Sequence, residues 1–331
     1  MKKIFITGIC GFVGSSLASF FYQKNYKVFG IDNLSRKGSY KNYLTLKKKN
    51  IKIFRGDLCD NKFLKKLLKK KYKFESFIHC AAYTSVLDGT NLISSKQLYE
   101  NNILSTLNSL ELTKNYNSNF IYISSSRVYS INDLNNLRQS SKKSGIKENF
   151  STTSPLSLYG SSKIISENIT QEYCELKKIP FVINRCGLMS GSGQLYKNDQ
   201  GIISFWINSW KKNKNLAYIG FNGKGQQTRD CLHPYDLGRL IILQNKKIKK
   251  LKIKNRTFNV SGGIKSAFSL KELSAWCTKN IFFKKIKSIK KNRKYDVNWL
   301  VLDNFKVKKE FNFKIKYNKN LIFEDILKND H

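Results

Sequence analysis

Proline is almost missing from this sequence, with 3 residues in 331 beside 19 glycines. Long Pro/Gly-rich disordered linkers are thereby excluded. No apolar run approaches the roughly 20 residues of a membrane span. The seven cysteines (Cys10, Cys59, Cys80, Cys174, Cys186, Cys231, Cys277) are odd in number and form no CxxC pair. That argues against a disulfide framework and against a zinc site, and it suits a reducing cytoplasm. No metal-binding cluster of His, Cys, Asp and Glu is visible. Carboxylates are scarce: 22 against 61 lysines and arginines, for a net charge of +39. Such a balance can mark a nucleic-acid binder, but a binding footprint clusters. Here the lysines are spread over 47–49, 65–71, 246–254 and 284–294. The chain also favours Lys, Asn, Ile, Tyr and Phe and is poor in Pro and Ala, which points to AT-rich coding bias. No specific nucleic-acid or membrane partner is expected.

What is present is enough apolar material for a large core, at 40% hydrophobic residues. Lys2-Lys3 followed by apolar residues to Phe21 resembles a secretory signal, but Gly8, Gly11 and Gly14 interrupt it at a meaningful spacing. The pattern predicts strands at 3–7, 27–31, 51–54, 76–80, 120–124 and 181–184. Helices are predicted over 12–24, 61–71, 96–115 and 158–178, with a long loop over 131–157. Strands alternating with helices give an α/β fold with a doubly wound parallel sheet. After residue 184 the pattern is less regular: a helix at 201–214 with Trp206 and Trp210, a strand at 256–260, and a helix over 269–279 opened by a Ser269/Glu272 capping box. The expected division is a dinucleotide domain over 1–184, joined by the strand near 256–260, and a smaller, discontinuous substrate lobe over 185–331.

Two patterns carry chemistry. Thr7-Gly-Ile-Cys-Gly-Phe-Val-Gly14 follows a strand and opens a helix. Glycines there let the backbone turn sharply and approach a pyrophosphate at the helix N-terminus. Asp32 ends the second strand, where a carboxylate accepts from adenosine ribose hydroxyls and repels a 2′-phosphate. NAD is expected over NADP, although Arg36 lies close by. Tyr159 and Lys163 stand at i and i+4 and share a helix face. A lysine ammonium beside a phenol is expected to lower the phenol's pKa, so that it can take a proton from a sugar hydroxyl. His79 and His233 read as structural hydrogen-bonders.

The set TGxxGFxG, Asp32-Asn-Leu-Ser-Arg36, Gly56-Asp57-Leu58, His79-Cys-Ala-Ala82, Asn102, Ser124-Ser-Ser-Arg-Val-Tyr129, Tyr159xxxLys163 and Arg229-Asp230 resembles the extended short-chain dehydrogenase/reductase family. The likeness is spread over almost the whole chain. Asn184-Arg-Cys-Gly187, Asp199-Gln-Gly201 and the segment Gly220–Asp230 resemble its CDP-paratose 2-epimerase (CDP-tyvelose epimerase) branch. The resemblance implies Ser125, Tyr159 and Lys163 as the catalytic set. It implies an NAD site of Gly8, Gly11, Phe12, Val13, Gly14, Asp32, Asn33, Ser35, Arg36, Asp57, Leu58, Ala81, Ala82 and Asn102, together with Tyr159 and Lys163. It implies Ser85, Ser126, Asn184, Gln200, Arg229 and Arg293 as substrate contacts, the two arginines clamping a pyrophosphate. A homodimer or homotetramer pairing helices near 96–115 and 159–178 is implied as well.

Four positions depart from the family pattern. Ser130 and Ser105 stand where the family has glycine. Ser126 and Arg127 stand where the family's dehydratases carry an Asp-Glu pair, which argues against water elimination. The implied activity is inversion of C2 in a CDP-deoxysugar through a transient ketone, with no net use of NAD. A UDP- or GDP-sugar 4-epimerase, a net nucleotide-sugar reductase or dehydrogenase, and a non-catalytic NAD- or nucleic-acid-binding protein remain as alternatives.

Overall fold

Short runs of branched and aromatic residues, apolar on both faces, demand burial between helical layers. In the computed structural model, which describes residues 1–84, 92–194, 200–291 and 293–329, six such runs form β1 (Lys3–Thr7), β2 (Lys27–Asp32), β3 (Lys52–Arg55), β4 (Ser76–His79), β5 (Asn119–Ser125) and β6 (Phe181–Cys186). They lie parallel in the order β6-β5-β4-β1-β2-β3. The reversal at β1 and β4 is the switch point where such sheets bind ligands. Alternation sorts the core: Ile4 and Ile6 pack on one face, Phe5 with Phe77 and Phe120 on the other.

Along the chain between these strands come α1 (Phe12–Gln23), α2 (Ser39–Lys48), α3 (Asn61–Leu68), α4 (Leu92–Tyr99) and α5 (Ser105–Asn115). A one-turn π-helix over Glu100–Leu104 joins the last two, so the helix expected at 96–115 is present but locally widened. The stretch 131–157 is not a plain loop. It holds α6 (Ile131–Asn135) and a 3₁₀ turn over Gln139–Lys143. Ile146 bridges to Leu302, and Val128, Tyr129, Leu134 and Ile146 form a satellite core with Leu300 and Leu302. α7 (Leu158–Leu176) follows, with the Ser157 hydroxyl capping its Gly160 N–H.

Beyond β6 the chain builds a smaller part. It contains β7 (Leu188–Met189), α8 (Ile202–Lys211), β8 (Ala217–Ile219), β9 (Thr228–Leu232) and α9 (Pro234–Lys247). β10 (Thr257–Val260) then returns to the main sheet beside β6, making it seven-stranded. β11 (Ala267–Ser269), α10 (Leu270–Asn280), β12 (Lys287–Ile289), β13 (Trp299–Leu300), α11 (Phe305–Phe311) and α12 (Lys319–Asn329) complete it. The expected capping box forms at Ser269 and Glu272. Strands β7, β11 and β13 all pair with β9. Trp206, Trp210, Phe268 and Phe323 fill the separate core beneath. α9 crosses α1 so closely that a Cβ at Gly238 would lie 2.5 Å from the Phe20 ring. Among the described residues, no helix is long and apolar enough to cross a membrane.

Candidate active site

The turn after β1 determines where a dinucleotide can lie. Gly8 takes a φ of +63°, open to glycine at little cost. A Cβ at Gly14 would sit 2.1 Å from the Gly8 carbonyl oxygen, so α1 begins directly above the turn. Its N-cap, Gly11, offers no side chain to the first-turn N–H groups. An uncapped helix N-terminus of this kind receives a phosphate.

Asp32 is held at the end of β2 by two backbone donors, Cys10 N–H to Oδ2 and Leu34 N–H to Oδ1, each at 2.8 Å. Burial raises its carboxyl above the ordinary value, and those N–H bonds oppose the rise. Asn33 donates to Asp57 at 2.9 Å, and Asp57 accepts the Cys59 N–H. The Arg36 guanidinium donates to Gln200 Oε1 at 2.7 Å and to Thr84 at 3.2 Å. The glycine turn, the uncapped N-terminus and the ribose-level carboxylate together fit NAD.

These groups line one cavity of about 490 Å³. It runs from Gly8, Gly11, Phe12, Val13, Gly14, Asp32, Asn33, Ser35 and Arg36, past Asp57, Leu58, Ala81 and Ala82, to Ser125, Ser126, Tyr159 and Lys163. Gln200, Arg229 and Arg293 line it too. Two expected site residues lie elsewhere. Asn184 is fully buried in β6 and exchanges amide hydrogen bonds with Gln244 of α9, because the two-residue strand period turns it to the helical layer. Asn102 stands behind the cavity wall, where it bonds the Tyr83 backbone and the Ser162 hydroxyl. Ser85 lies outside the described residues.

At the reacting end, Ser125 and Tyr159 line the cavity together, and the Ser125 hydroxyl favours the ionised phenol. Burial nevertheless pushes that phenol up to about 12, with the Ser125 bond and the Arg127 charge opposing. Lys163 follows one turn later on α7. Its ammonium donates to the Ile123 carbonyl at 3.0 Å and lies 4.9 Å from the Tyr122 ring centroid. Burial brings the Lys163 pKa down to about 8.

Arg229 donates to the Val297 and Thr228 carbonyls and stands 3.8 Å from Asp296. The neighbouring Asp230 is not its ion-pair partner. Asp230 instead accepts from Ser261, Gly263 N–H and Leu302 N–H. Burial, followed by the Arg127 charge, lowers Arg229 to about 9. Arg127, Tyr295 and Asp296 are cavity residues that sequence reasoning passed over. Arg127 was legible as the residue two after Ser125, whereas the other two needed the fold of the C-terminal part.

The two glycine departures are absorbed locally. Ser105 bonds the Asn101 carbonyl within the widened helix. Ser130 caps α6 with its hydroxyl. His79 is buried between Thr7, Thr106 and Ser109, and His233 caps α9 and faces Asp325 at 3.5 Å. Both are structural, as expected.

The fold and this cavity define an enzyme of the doubly wound, dinucleotide-dependent class. The family model of the NAD dependent epimerase/dehydratase family matches residues 4–261, and the chain belongs to that family. It is 31% identical over 287 residues to the CDP-paratose 2-epimerase of Salmonella typhi, covering 82% of each chain. It is 34% identical over 248 residues to the dTDP-D-glucose 4,6-dehydratase of Dictyostelium discoideum, covering 72% of this chain and 54% of that one, so it spans about half the length of that relative. The solved UDP-glucose 4-epimerase of Thermotoga maritima shares the fold with a TM-score of 0.82 at 20% identity, covering 99% of this chain and 98% of the other.

Proposed function

We propose that this enzyme inverts C2 of a CDP-linked deoxysugar through a transient keto sugar. The observation that carries this reading is the convergence of Ser125, Tyr159 and Lys163 with a complete dinucleotide cradle in one cavity, with Ser126 and Arg127 beside them. A sugar C–H that is not next to a carbonyl is too weakly acidic for direct proton removal, so inversion there requires oxidation first. Gly8 to Gly14 would receive the pyrophosphate of NAD, Asp32 the adenosine ribose, Asp57 and Leu58 the adenine. Ala81 and Ala82 would line the dinucleotide. Bound NAD⁺ supplies a hydride acceptor that gives the hydride back within the same turnover.

Tyr159 takes the proton of the C2 hydroxyl as its O–H bond breaks, then returns it once the keto sugar has turned over. Ser125 bonds the reacting oxygen and orients the phenol. Lys163 would contact the nicotinamide ribose. Arg229 and Arg293 hold the substrate pyrophosphate, and Gln200 and Ser126 border the sugar. Serine and arginine stand in place of an acidic pair, which supports epimerisation over water elimination. The similarity to the Salmonella typhi epimerase over 82% of both chains supports the C2 assignment. Exposed Leu107 and Leu176 support pairing of α5 and α7 across a dimer. The division into a dinucleotide part and a discontinuous substrate lobe belongs to the same reading.

Native mass spectrometry with CDP-, UDP- and GDP-sugars, followed by NMR of the product, tests this. Retained NAD, preference for a CDP-sugar and inversion at C2 are expected. Inversion at C4 of a UDP-sugar would replace the reading with a 4-epimerase. Stoichiometric consumption of added NAD(P)H would replace it with a reductase.

A further inference from the structure

His79 is a buried titratable group that the proposed mechanism leaves unused. It ends β4 directly beside Thr7, the last residue of β1. Its ring lies nearly parallel to those of Phe120 and Tyr122, at 6.1 and 5.7 Å between centroids, which fixes the plane in which its nitrogens point. Nδ1 stands 2.8 Å from Thr7 Oγ1 and 2.9 Å from Ser109 Oγ, and Nε2 stands 3.1 Å from Thr106 Oγ1. Burial, followed by the Lys163 charge, holds the imidazole well below the ordinary histidine range, so the ring is neutral and one nitrogen carries its proton.

The hydroxyls decide which nitrogen that is. Thr7 Oγ1 already accepts two N–H groups, from Cys80 and Ala81, each at 3.2 Å. Both of its lone pairs are then used, and its own proton is left to donate to Nδ1. At the other end the Thr106 hydroxyl donates to the Asn102 carbonyl at 2.6 Å, so Thr106 Oγ1 accepts from Nε2. Both ends require the same form, with Nε2 protonated and Nδ1 bare, and Ser109 shares the bare nitrogen.

This relay runs behind the wall of the dinucleotide cavity, where Ala81, Ala82 and Tyr83 follow one another. Thr7 holds the Ala81 N–H, and a Cβ at Gly8 would lie 2.9 Å from that same nitrogen, so the glycine turn rests directly on it. Asn102, at the far end of the relay, holds Tyr83 by both its N–H and its carbonyl. The Asn102 carbonyl lies in the one-turn π-helix and accepts from Ser166 as well as Thr106. Widened turns of this kind are frequent at functional sites.

We propose that His79 is a positioning residue for the cofactor. In its Nε2–H form it ties Thr7 to Thr106, and so sets the Ala81–Tyr83 segment against the glycine turn at the spacing a dinucleotide needs. The inference deepens the proposed function and rests on its NAD-binding half alone. His79 exchanges no proton in turnover, and the sugar plays no part.

The chain has three histidines, so long-range ¹H–¹⁵N correlation of the full protein reads the form directly, with His79 assigned from its loss in His79→Asn. A bare Nδ1 and a protonated Nε2 are expected, and a protonated Nδ1 overturns the proposal without any variant having to fold. Isothermal titration with NAD then compares the parent with His79→Leu, His79→Asn and Thr7→Val. His79→Leu and Thr7→Val are each expected to weaken NAD by about tenfold or more. Their double variant should lose no more than either alone, because the two residues act as one unit. Asparagine carries an amide oxygen on the branch where the ring carries Nδ1, so His79→Asn is expected to stay within about threefold of the parent. A role in core packing alone predicts the reverse: NAD affinity unmoved in the folded His79→Leu, or losses that add in the double variant, and either result overturns the proposal. A parent that takes up no NAD removes the dinucleotide reading and this inference with it, whereas a parent and a His79→Leu variant that bind equally remove this inference alone.

Discussion

At the scale of the residue, the site is governed by burial. Tyr159 is pushed up to about 12 and Lys163 down to about 8, and for both the first cause is removal from water. For Lys163 this has a thermodynamic consequence. Its pKa falls from 10.5 in the open chain to about 8 in the fold. Between those values the unfolded chain holds more protons, so this lysine makes stability rise with pH across that window. Below it, the full cost of burying the ammonium is present, on the order of 1–3 kcal/mol. Buried Cys10 and Cys186, raised by the same desolvation, act in the opposite direction at alkaline pH. The difference between parent and Lys163→Met therefore isolates the lysine. Urea unfolding at about pH 7.5 and about pH 9.5 should show Lys163→Met gaining on the parent at the lower pH and losing that advantage at the higher. A pH-independent difference would mean that the ammonium is solvated or fully paired in the fold.

At the scale of the element, local patterns were legible where one residue type answers one backbone need. The glycine turn, Asp32 at the end of β2 and the Ser269 capping box are of that kind. Gly14 shows why: its Cβ would meet the Gly8 oxygen at 2.1 Å and the Gly8 carbonyl carbon at 2.8 Å, both backbone atoms that cannot swing aside. Gly14→Ala is expected to displace α1 from the turn and to strip NAD from the purified protein by at least tenfold in affinity, about 1.4 kcal/mol. Isothermal titration with NAD measures it, and an unchanged affinity would show that the helix start does not form the pyrophosphate site. Side-chain direction was less legible. Asn184 was expected at the substrate and instead faces α9, because the strand register and not the neighbouring motif decides which way a β6 residue points. Strands of two or three residues, such as β7, β8 and β13, are too short for any period to show. β7 and β13 depend on β9, and β8 on β12, partners far away in sequence. The five-residue α6 was missed for the same reason.

At the scale of the whole molecule, the return of β10 to the main sheet makes the C-terminal part depend on the dinucleotide part. Asp230 reinforces this from β9 by accepting from Ser261 and Gly263, just beyond β10, and from Leu302, just beyond β13. That architecture must hold against the chain's own field. Twenty-two carboxylates cannot neutralise 61 cations, and a net charge of +39 makes the compact state repel itself. The unfolded chain spreads the same charges further apart, so screening helps the folded state more. Raising ionic strength from about 0.01 M to about 0.1 M shortens the screening length from about 30 Å to about 10 Å, less than the width of a chain this size. The melting temperature is therefore expected to climb by several degrees over that range with sodium chloride, and to flatten above it as the remaining interactions become local. A specific anion site would instead saturate at a concentration set by its affinity and would respond far more to phosphate than to chloride at equal ionic strength. A melting temperature that is flat from the lowest salt upward would mean that the lysines lie too far apart to sum, and that the cationic surface costs the fold nothing.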